Sequence, residues 1–290
     1  MPVNSFVKMH GLGNDYVVFD EENIRFKLTQ NAIRRICDVH FGVGSDGILL
    51  KTASNEADFG LKIYNPDGSE AEKSGNGLRI FAKYLYDYGF AGQREFSIET
   101  AGGVARANVF EIKNSKASYI AVDMGKAIFR AADIPVLSEH AEVFGETLTA
   151  MDRDFEINCV SVGNPHCVIL KETLDIEEVQ KYGAAIENHP MFPNRINVQF
   201  VKPIHRHEAQ MLIWERGAGY TLASGSSSCA AACMLVKKGL VISPVTIKMP
   251  GGELVIDVGP DYQIQMTGEV RQIAEGVLSD ELIADFVLEF

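Results

Sequence analysis

The fold is decided by residues 58–89, which read DFGLKIYNPDGSEAEKSGNGLRIFAKYLYDYG. The alternating start predicts a strand that ends in an Asn-Pro-Asp-Gly turn, and the glycine turn SGNG leads into a helix-period segment closed by Gly89. The same order returns about 150 residues later in residues 210–239, which read QMLIWERGAGYTLASGSSSCAAACMLVKKG. Two related strand–turn–helix elements are therefore expected, one in each half of the chain.

The sequence around these elements is rich in short β-branched stretches separated by turn residues. They include FSIET, ASYIAVDM, FEINCVSVG, CVIL, NVQFV, PVTIKM, ELVIDV and QIQMTGEV. Two further helices are predicted, over residues 28–42, capped by Thr29 and ended by Gly42, and over residues 174–188. This pattern predicts an α+β fold rather than a doubly wound parallel sheet, with a ligand cleft between two similar halves.

The composition restricts the class of partner. The chain has 290 residues, is 46% hydrophobic and carries a formal net charge of -12. Clustered Lys and Arg are needed to bind phosphate backbones, so this charge argues against nucleic acid and anionic membranes and favours a small-molecule partner. The sequence contains no apolar run of signal-peptide or membrane-span length, which predicts a cytoplasmic protein.

The cysteines and histidines do not form a recognisable metal motif. Five cysteines are an odd number in a long chain without an export signal, which argues against a disulfide framework. Cys229 and Cys233 are four residues apart on one predicted helix face, where buried core residues are the simpler interpretation than a metal or redox site. His205 and His207 lack the further Cys or His ligands that a site needs. We therefore predict no metal.

Ser74 and Ser224 each stand at the start of a predicted helix. A helix N-terminus presents unpaired N–H groups and a partial positive charge, so two such ends can hold a carboxylate and favour the anionic form of an acid placed there. A serine before a helix can also be only an N-cap. The glycines and polar residues around both serines exceed what capping requires and permit close approach of backbone to ligand.

Glu215 and Arg216 follow the apolar strand LIW directly. Arg216 could be a surface charge, but its place at a strand end beside Glu215 favours a planar, bidentate hold on a substrate carboxylate.

Eight segments of the chain resemble, in order and spacing, the signature segments of diaminopimelate epimerases. They are KMHGLGND (8–15), FGVGSDG (41–47), YNPDGSEAEKSGNGLRIFA (64–82), SVGNPHCV (161–168), RINVQF (195–200), ERGAGYTLASGSSSCAAA (215–232), PGG (250–252) and MTGE (266–269). The resemblance covers nearly the whole chain. It implies two pseudo-symmetric domains, each a mixed sheet wrapped around a central helix, formed by residues 1–122 with 272–290 and by residues 123–271.

The resemblance also implies an activity, the conversion of LL-diaminopimelate to the meso form on the way to lysine and peptidoglycan, without cofactor or metal. It assigns catalytic roles to Ser74 and Ser224, the positions of the family's two cysteines, with His166 and Glu215 beside them. The implied substrate contacts are Asn14, Asn65, Gly75, Asn76, Asn164, Asn197, Glu215, Arg216, Gly225 and Ser226. Because family members often pair, a homodimer is expected.

Serine at both catalytic positions changes the expected chemistry. Inversion needs one group to remove the α-proton from one face and a second group to deliver a proton to the other face. A thiol, with a reference pKa of about 8.5 that a helix N-terminus lowers, suits this role, whereas a serine hydroxyl is far less acidic. We expect the chain to bind substrate and to be inactive or very weak. Two isosteric replacements in otherwise intact motifs indicate deliberate substitution of an active parent, with a natural Ser/Ser homologue as the alternative.

The sequence is also compatible with other functions. A non-catalytic amino-acid binding or sensing protein would show affinity without turnover. An epimerase or racemase of the same fold for another amino acid is the second alternative, although the full set of asparagines favours diaminopimelate. FGVGSDG also contains G-x-G-x-x-G at Gly42, Gly44 and Gly47. A helical pattern precedes it and a strand follows, the reverse of the order in a dinucleotide-binding oxidoreductase.

Overall fold

The computed structural model describes residues 2–287. The chain divides into two compact units, of which the first comprises the described residues up to Val122 with those from Thr267 onward, and the second is Asp123–Met266. The predicted second boundary lies after residue 271, and the division into compact units falls after residue 266. Of the predicted first domain, residues 1 and 288–290 lie outside the described residues.

Strands dominate the structure. They are β1 (Ser5–Gly11), β2 (Asn14–Asp20), β3 (Ile48–Thr52), β4 (Phe59–Tyr64), β5 (Glu70–Ala71), β6 (Glu95–Thr100), β7 (Gly103–Lys113), β8 (Lys116–Lys126), β9 (Phe144–Ala150), β10 (Arg153–Ser161), β11 (Pro165–Leu170), β12 (Asn197–His205), β13 (Glu208–Glu215), β14 (Gly219–Thr221), β15 (Val245–Met249), β16 (Gly252–Val258), β17 (Gln263–Glu269) and β18 (Arg271–Val277). The α-helices are α1 (Gln30–Cys37), α2 (Gly75–Asp87), α3 (Ile176–Glu187), α4 (Gly225–Lys237) and α5 (Asp280–Ala284), and two short 3-10 helices lie at Ala131–Asp133 and Asp285–Val287.

The first unit is a mixed sheet around α2. Its pairs alternate in direction, with β1–β2 antiparallel, β2–β3 parallel, β3–β4 antiparallel, β4–β6 parallel and β6–β7 antiparallel. Parallel neighbours need a crossover connection, and α1 and α2 lie in the two crossovers. In α2, nine consecutive residues from Gly77 to Leu85 are buried, so this helix has no solvent face over most of its length.

The second unit repeats the pattern with its own elements. The pairs β10–β11, β12–β13 and β15–β16 are antiparallel, and β11–β12 and β13–β15 are parallel. The helices α3 and α4 lie in the two crossovers. All residues of α4 from Ser227 to Leu235 are buried, including Cys229 and Cys233. The α+β prediction, with a mixed sheet wrapped around a central helix in each half, is confirmed.

The predicted end of α1 was wrong. This helix begins after Thr29, whose side chain accepts the Ala32 N–H, and ends at Cys37 rather than at Gly42. At Asp38 the backbone leaves the helical region, and its carboxylate accepts the N–H groups of His40 and Phe41 at 2.8 and 2.7 Å. An aspartate that bonds its own neighbouring amides competes with continued helix.

The G-x-G-x-x-G segment lies between α1 and β3, in the helix-to-strand order that the sequence indicated. His207 bonds the Pro244 carbonyl through Nδ1 at 3.1 Å, and His205 ends β12. Between residues 2 and 287 there is no group of three or more His, Cys, Asp or Glu side chains that could hold a metal ion. Within the same range, no helix has the length and apolar character that crossing a bilayer requires.

Candidate functional site

Ser74 is the N-cap of α2. Its backbone is extended, and its Oγ accepts the N–H of Gly77 at 3.0 Å. A Cβ on Gly77 would lie 3.1 Å from Ser74 Cβ and 3.2 Å from its Oγ, so the glycine allows this close approach. The Tyr16 hydroxyl lies 3.3 Å from the same Oγ. Ser74 thus bonds both a helix amide and a phenol, and the following N–H groups, of Gly75 and Asn76, have no carbonyl within the helix.

A chain of polar side chains fixes the first turn of α2. Arg79, which is fully buried, donates from Nη2 to Asn76 Oδ1 at 2.7 Å. Asn76 donates from Nδ2 to Asn14 Oδ1 at 3.1 Å, and Asn14 donates from Nδ2 to Asp46 Oδ2 at 3.0 Å. We call these residues, with Tyr16 and Ser74, the Ser74 cluster. Its bonds join the predicted residues Asn14 and Asn76 in one network, and Ser74 caps the same helix beside them.

Asn65 belongs to the turn that follows β4. Its N–H bonds the Ser69 carbonyl at 2.8 Å, and its Nδ2 donates to Ser69 Oγ at 3.0 Å. Asp67 accepts both the N–H and the hydroxyl of Ser69, at 2.8 and 2.6 Å. These bonds hold the pKa of the Asp67 carboxyl below its usual value. The predicted Asn-Pro-Asp-Gly turn is therefore present, with the Asn65 side chain exposed.

Ser224 is the N-cap of α4, with extended backbone and an Oγ that accepts the Ser227 N–H at 3.5 Å. Glu215 stands at the end of β13, with its carboxyl near the Ser224 hydroxyl. Burial raises the pKa of the Glu215 carboxyl above its ordinary value, and the bond from Ser224 partly opposes that rise. A carboxylate beside a hydroxyl can accept its proton and return it.

His166 is fully buried on β11 between two amides. Its Nε2 lies 2.8 Å from Asn164 Oδ1, and its Nδ1 lies 3.0 Å from Gln199 Nε2, which also donates to Ser227 Oγ at 3.1 Å. With the amides oriented this way, Nε2 carries the proton and Nδ1 accepts. Burial lowers the pKa of His166 to about 3, aided by the positive charge of Arg216. The imidazole is therefore neutral near pH 7.

Asn197 fixes the backbone where β13 ends, at Glu215 and Arg216. Its Oδ1 accepts the Arg216 N–H at 3.0 Å, and its Nδ2 donates to the Pro165 carbonyl at 2.9 Å. The Arg216 guanidinium donates from Nη1 to the Asn194 carbonyl at 3.1 Å and is half-buried. We call residues 164, 166, 197, 199, 215, 216, 224 and 227 the Ser224 cluster. Arg216 and the start of α4 give this cluster a positive character suited to a carboxylate.

Glu187, at the end of α3, bonds the residues on either side of Glu215 and Arg216. Its buried carboxylate accepts the Gly217 N–H at 2.9 Å, the Trp214 indole N–H at 2.8 Å and Arg195 Nη1 at 3.2 Å. Glu187, Gln199, Ser227 and Tyr16 were not among the residues predicted for the site. A glutamine within the apolar strand NVQFV was a signal that could have been used, whereas Glu187 looked like any helix-end acid.

The match to a known family extends over most of the chain. The model of the family described as diaminopimelate epimerase matches residues 6–130 and 158–273. A relative from Nostoc sp., named diaminopimelate epimerase 2, is 48% identical over 96% of this chain and 97% of its own length. A diaminopimelate epimerase from Desulfitobacterium hafniense is 39% identical over 96% of this chain and 99% of its own length.

The chain belongs to the diaminopimelate epimerase family.

Two solved structures share the architecture of this family member at low identity. A probable proline racemase from Agrobacterium radiobacter gives a TM-score of 0.68 at 13% identity and covers 95% of this chain and 93% of its own. A phenazine biosynthesis protein from Bacillus anthracis gives a TM-score of 0.63 at 14% identity, with 96% and 100% covered. At such identities the likeness concerns the fold alone.

Proposed function

We propose that this chain binds diaminopimelate and interconverts its LL and meso forms slowly, by cofactor-free proton transfer at the positions of Ser74 and Ser224. The observation that carries the proposal is that each serine is the N-cap of a buried central helix, with the Tyr16 hydroxyl 3.3 Å from Ser74 Oγ in the first unit. Full-length membership in the family supports diaminopimelate as the substrate.

Carboxylate binding is supported by the starts of α2 and α4 and by Arg216. The first-turn N–H groups of Gly75, Asn76, Gly225 and Ser226 carry the partial positive charge of a helix N-terminus. That charge favours the carboxylate of the amino acid and, more strongly, the enediolate-like form in which the carbanion spreads its charge onto the carboxylate oxygens. Arg216, fixed by Asn197 and Asn194, supplies a full positive charge in the second unit.

The asparagines have a double role in this proposal. Asn14 and Asn197 are the proposed contacts of polar substrate groups, and each already bonds the protein through both ends of its amide. An amide held at both ends keeps one orientation and presents its further hydrogen-bonding capacity without the entropy cost of ordering it. Asn65 and Asn164 are proposed contacts of the same kind. Asn65 directly follows β4, and Asn164 directly precedes β11.

His166 acts in this proposal as a neutral, fixed group beside the substrate. Its pKa of about 3 makes it a poor general base in the free protein, because the protonated form is strongly disfavoured by burial. Its Nε2–H is committed to Asn164 and its Nδ1 to Gln199, so it orients Asn164 and links it to Ser227 at the start of α4.

The rate is limited by the two hydroxyls. An aliphatic hydroxyl gives up its proton much less readily than a thiol, so each transfer step is slower although the shape of the site is nearly preserved. We expect Ser74→Cys with Ser224→Cys to raise the rate of inversion by at least 100-fold while substrate affinity changes little.

The experiment is the conversion of LL-diaminopimelate in deuterated water, followed by NMR as α-proton exchange and as appearance of the meso form. The chain as written is compared with the Ser74→Cys, Ser224→Cys variant. Ser279→Cys is the matched control, because Ser279 caps α5 through the same bond to a backbone N–H, 3.2 Å from Leu282, outside both clusters. If the double variant folds and neither exchanges nor inverts the substrate, the proposal is wrong.

A non-catalytic binding protein is the second candidate, and the observation that favours it is the hydroxyl at both positions. It differs from the first in one measurable respect. Calorimetric binding of meso-diaminopimelate without any inversion by the chain as written, over hours at high enzyme concentration, favours it.

The proposed reaction belongs to the synthesis of lysine and peptidoglycan, with the amino acid as the small-molecule partner. We propose a cytoplasmic homodimer as the working form. Its mass in solution, measured by light scattering, tests the oligomeric part of this proposal.

A further inference from the structure

Tyr16 stands behind Ser74 on β2. Its side chain is 7% exposed, and its hydroxyl lies 3.3 Å from Ser74 Oγ. The strand that carries it is paired on both sides, with Met9 opposite Tyr16 on β1 and β3 beginning next to Val17. The backbone at this position therefore has little freedom to move the phenol away from the serine.

Gly47 fixes the ring of Tyr16. A Cβ at Gly47 would lie 2.7 Å from Tyr16 Cε1, 3.1 Å from its Cδ1 and 2.5 Å from the Tyr64 carbonyl oxygen. Only glycine allows the loop to approach the ring this closely. The loop is held in turn, because the Gly47 carbonyl accepts the Val17 N–H at 3.1 Å and the Gly47 N–H donates to Ser45 Oγ at 3.0 Å. Gly47 of the FGVGSDG segment thus packs directly against the Tyr16 ring.

The chemistry of the pair differs from that of serine alone. A phenol has an ordinary pKa of about 10, far below that of an aliphatic alcohol. Ser74 Oγ also accepts the Gly77 N–H at 3.0 Å at the start of α2, where negative charge is favoured. Charge that develops on Ser74 is therefore stabilised by one neighbour and neutralised by proton transfer from the other.

We propose that Tyr16 is a positioning residue that relays the proton to and from Ser74, a role that rests on the proposed epimerase function. When Ser74 protonates the carbanion, the Ser74 O–H bond breaks as the Cα–H bond forms, and the Tyr16 O–H proton passes to Ser74 Oγ. Tyrosinate remains. In the reverse direction Ser74 Oγ takes the α-proton, the C–H electron pair stays on carbon, and the Ser74 proton passes to tyrosinate.

This relay gives each serine its own titratable partner. Tyr16 serves Ser74 in the first unit, and in the second unit Glu215 is the carboxyl whose pKa Ser224 lowers. A cysteine at position 74 ionises by itself and does not need the phenol. The importance of the Tyr16 hydroxyl therefore depends on which residue occupies position 74, and this dependence separates a relay from a merely structural role.

The test is a double-mutant cycle on inversion, which requires proton transfer on both faces of the α-carbon. All proteins carry Ser224→Cys, so that the Ser74 side limits the rate. Tyr16→Phe is made with Ser74 kept and again with Ser74→Cys, and kcat and KM for LL-diaminopimelate are measured by NMR. Tyr88→Phe is the matched control, since Tyr88 caps the opposite end of α2 and donates its hydroxyl to Glu275 at 2.7 Å.

With Ser74 kept, we expect Tyr16→Phe to lower kcat at least tenfold while KM stays within twofold. With Ser74→Cys, the same change lowers kcat less than threefold, and Tyr88→Phe is silent in both. Equal losses in the two backgrounds, or no loss with Ser74 kept, overturn the relay. It is also overturned if the Ser224→Cys protein cannot invert the substrate while the protein with both cysteines can, a result that keeps diaminopimelate as the ligand of the site but denies turnover to a protein with Ser74. Failure of the protein with both cysteines overturns the proposed function and the relay with it.

Discussion

The indole N–H of Trp214 donates to Oε2 of Glu187 at 2.8 Å, while Oε1 of the same carboxylate accepts the Gly217 N–H at 2.9 Å. One buried side chain at the end of α3 thus holds both the end of β13 and the turn that follows Glu215. The negative charge is compensated by Arg195 at 3.2 Å.

Removing this carboxylate should cost both stability and substrate binding. We expect Glu187→Ala to lower the free energy of unfolding by about 2–4 kcal/mol, because the Gly217 and Trp214 N–H groups lose their acceptor in a buried place. The midpoint of urea denaturation measures this. Glu177→Ala, at the exposed start of the same helix, should cost under about 1 kcal/mol. A loss at Glu187 no larger than at Glu177 would contradict the role assigned to the carboxylate.

Gly183 on α3 lies under the Trp214 ring. A Cβ there would come 2.4 Å from Trp214 Cδ2 and 2.5 Å from Cγ. Alanine is the better helix former, yet the overlap should outweigh that gain and destabilise the protein by about 1–3 kcal/mol. The chain has 1 tryptophan, so its fluorescence reports on this site directly.

The matched control for Gly183→Ala is Gly92→Ala, where, apart from the two neighbouring residues, no atom of the described chain lies within 4 Å of the added methyl. This control should leave both the emission spectrum and the denaturation midpoint nearly unchanged. An unshifted spectrum in Gly183→Ala would show that α3 yields without moving the indole.

Buried His166 predicts a fall in stability on acidification. Its pKa in the folded protein is about 3, below the value of about 6.5 in an unfolded chain. Between these values the unfolded chain binds a proton that the folded protein does not, so the free energy of unfolding decreases as pH falls from about 6.5 toward 3. The slope due to this group is at most about 1.4 kcal/mol per pH unit.

Unfolding by urea at a series of pH values measures this slope, and His166→Gln should remove that part of it. Glu215 acts with the opposite sign, because its raised pKa makes the folded protein bind the extra proton and so lose stability as pH rises above the ordinary range of a glutamate. An unchanged slope in His166→Gln would mean that the imidazole is protonated in the folded protein.

Arg216→Ala should weaken binding of diaminopimelate by about 10–100-fold, since a charged hydrogen bond to a carboxylate contributes about 1.5–3 kcal/mol. Calorimetry on the chain as written measures this without turnover. Arg130→Ala is the control, because Arg130 is exposed and forms a local ion pair with Asp133 at 2.6 Å. Equal affinities of the two variants would remove Arg216 from the proposed carboxylate site.

Much of the architecture could be predicted because several local sequence patterns indicate the same order of elements. The Asn-Pro-Asp-Gly turn, the glycines after both serines and the helical period of residues 78–88 all indicated the strand–turn–helix order that the structure contains. The first hairpin was not singled out. The last five residues of β2 are all buried, so that strand lacks the alternation by which a half-buried strand is identified.

The candidate site was predictable only in part. Ser74 and Ser224 were placed at helix starts from the local pattern, and the structure has them as N-caps. Tyr16 lies 58 residues before Ser74. No local sequence pattern around Tyr16 indicates a hydrogen bond to a residue so far along the chain. The partnership arises from strand pairing and from the absence of a side chain at Gly47, which are tertiary facts.

Each of the two serines both caps a helix and occupies a position of proposed proton transfer, so stability and activity place opposite demands on the residue. Each serine oxygen accepts an amide at the start of a central helix, and sulfur is a much weaker acceptor. A capping bond contributes about 1 kcal/mol, so a thiol at either position should lower the melting temperature by about 2–4 °C while it restores an acidic proton. The heat resistance of the helices and the speed of the reaction are thus decided by the same two atoms, and neither can be improved there without loss to the other.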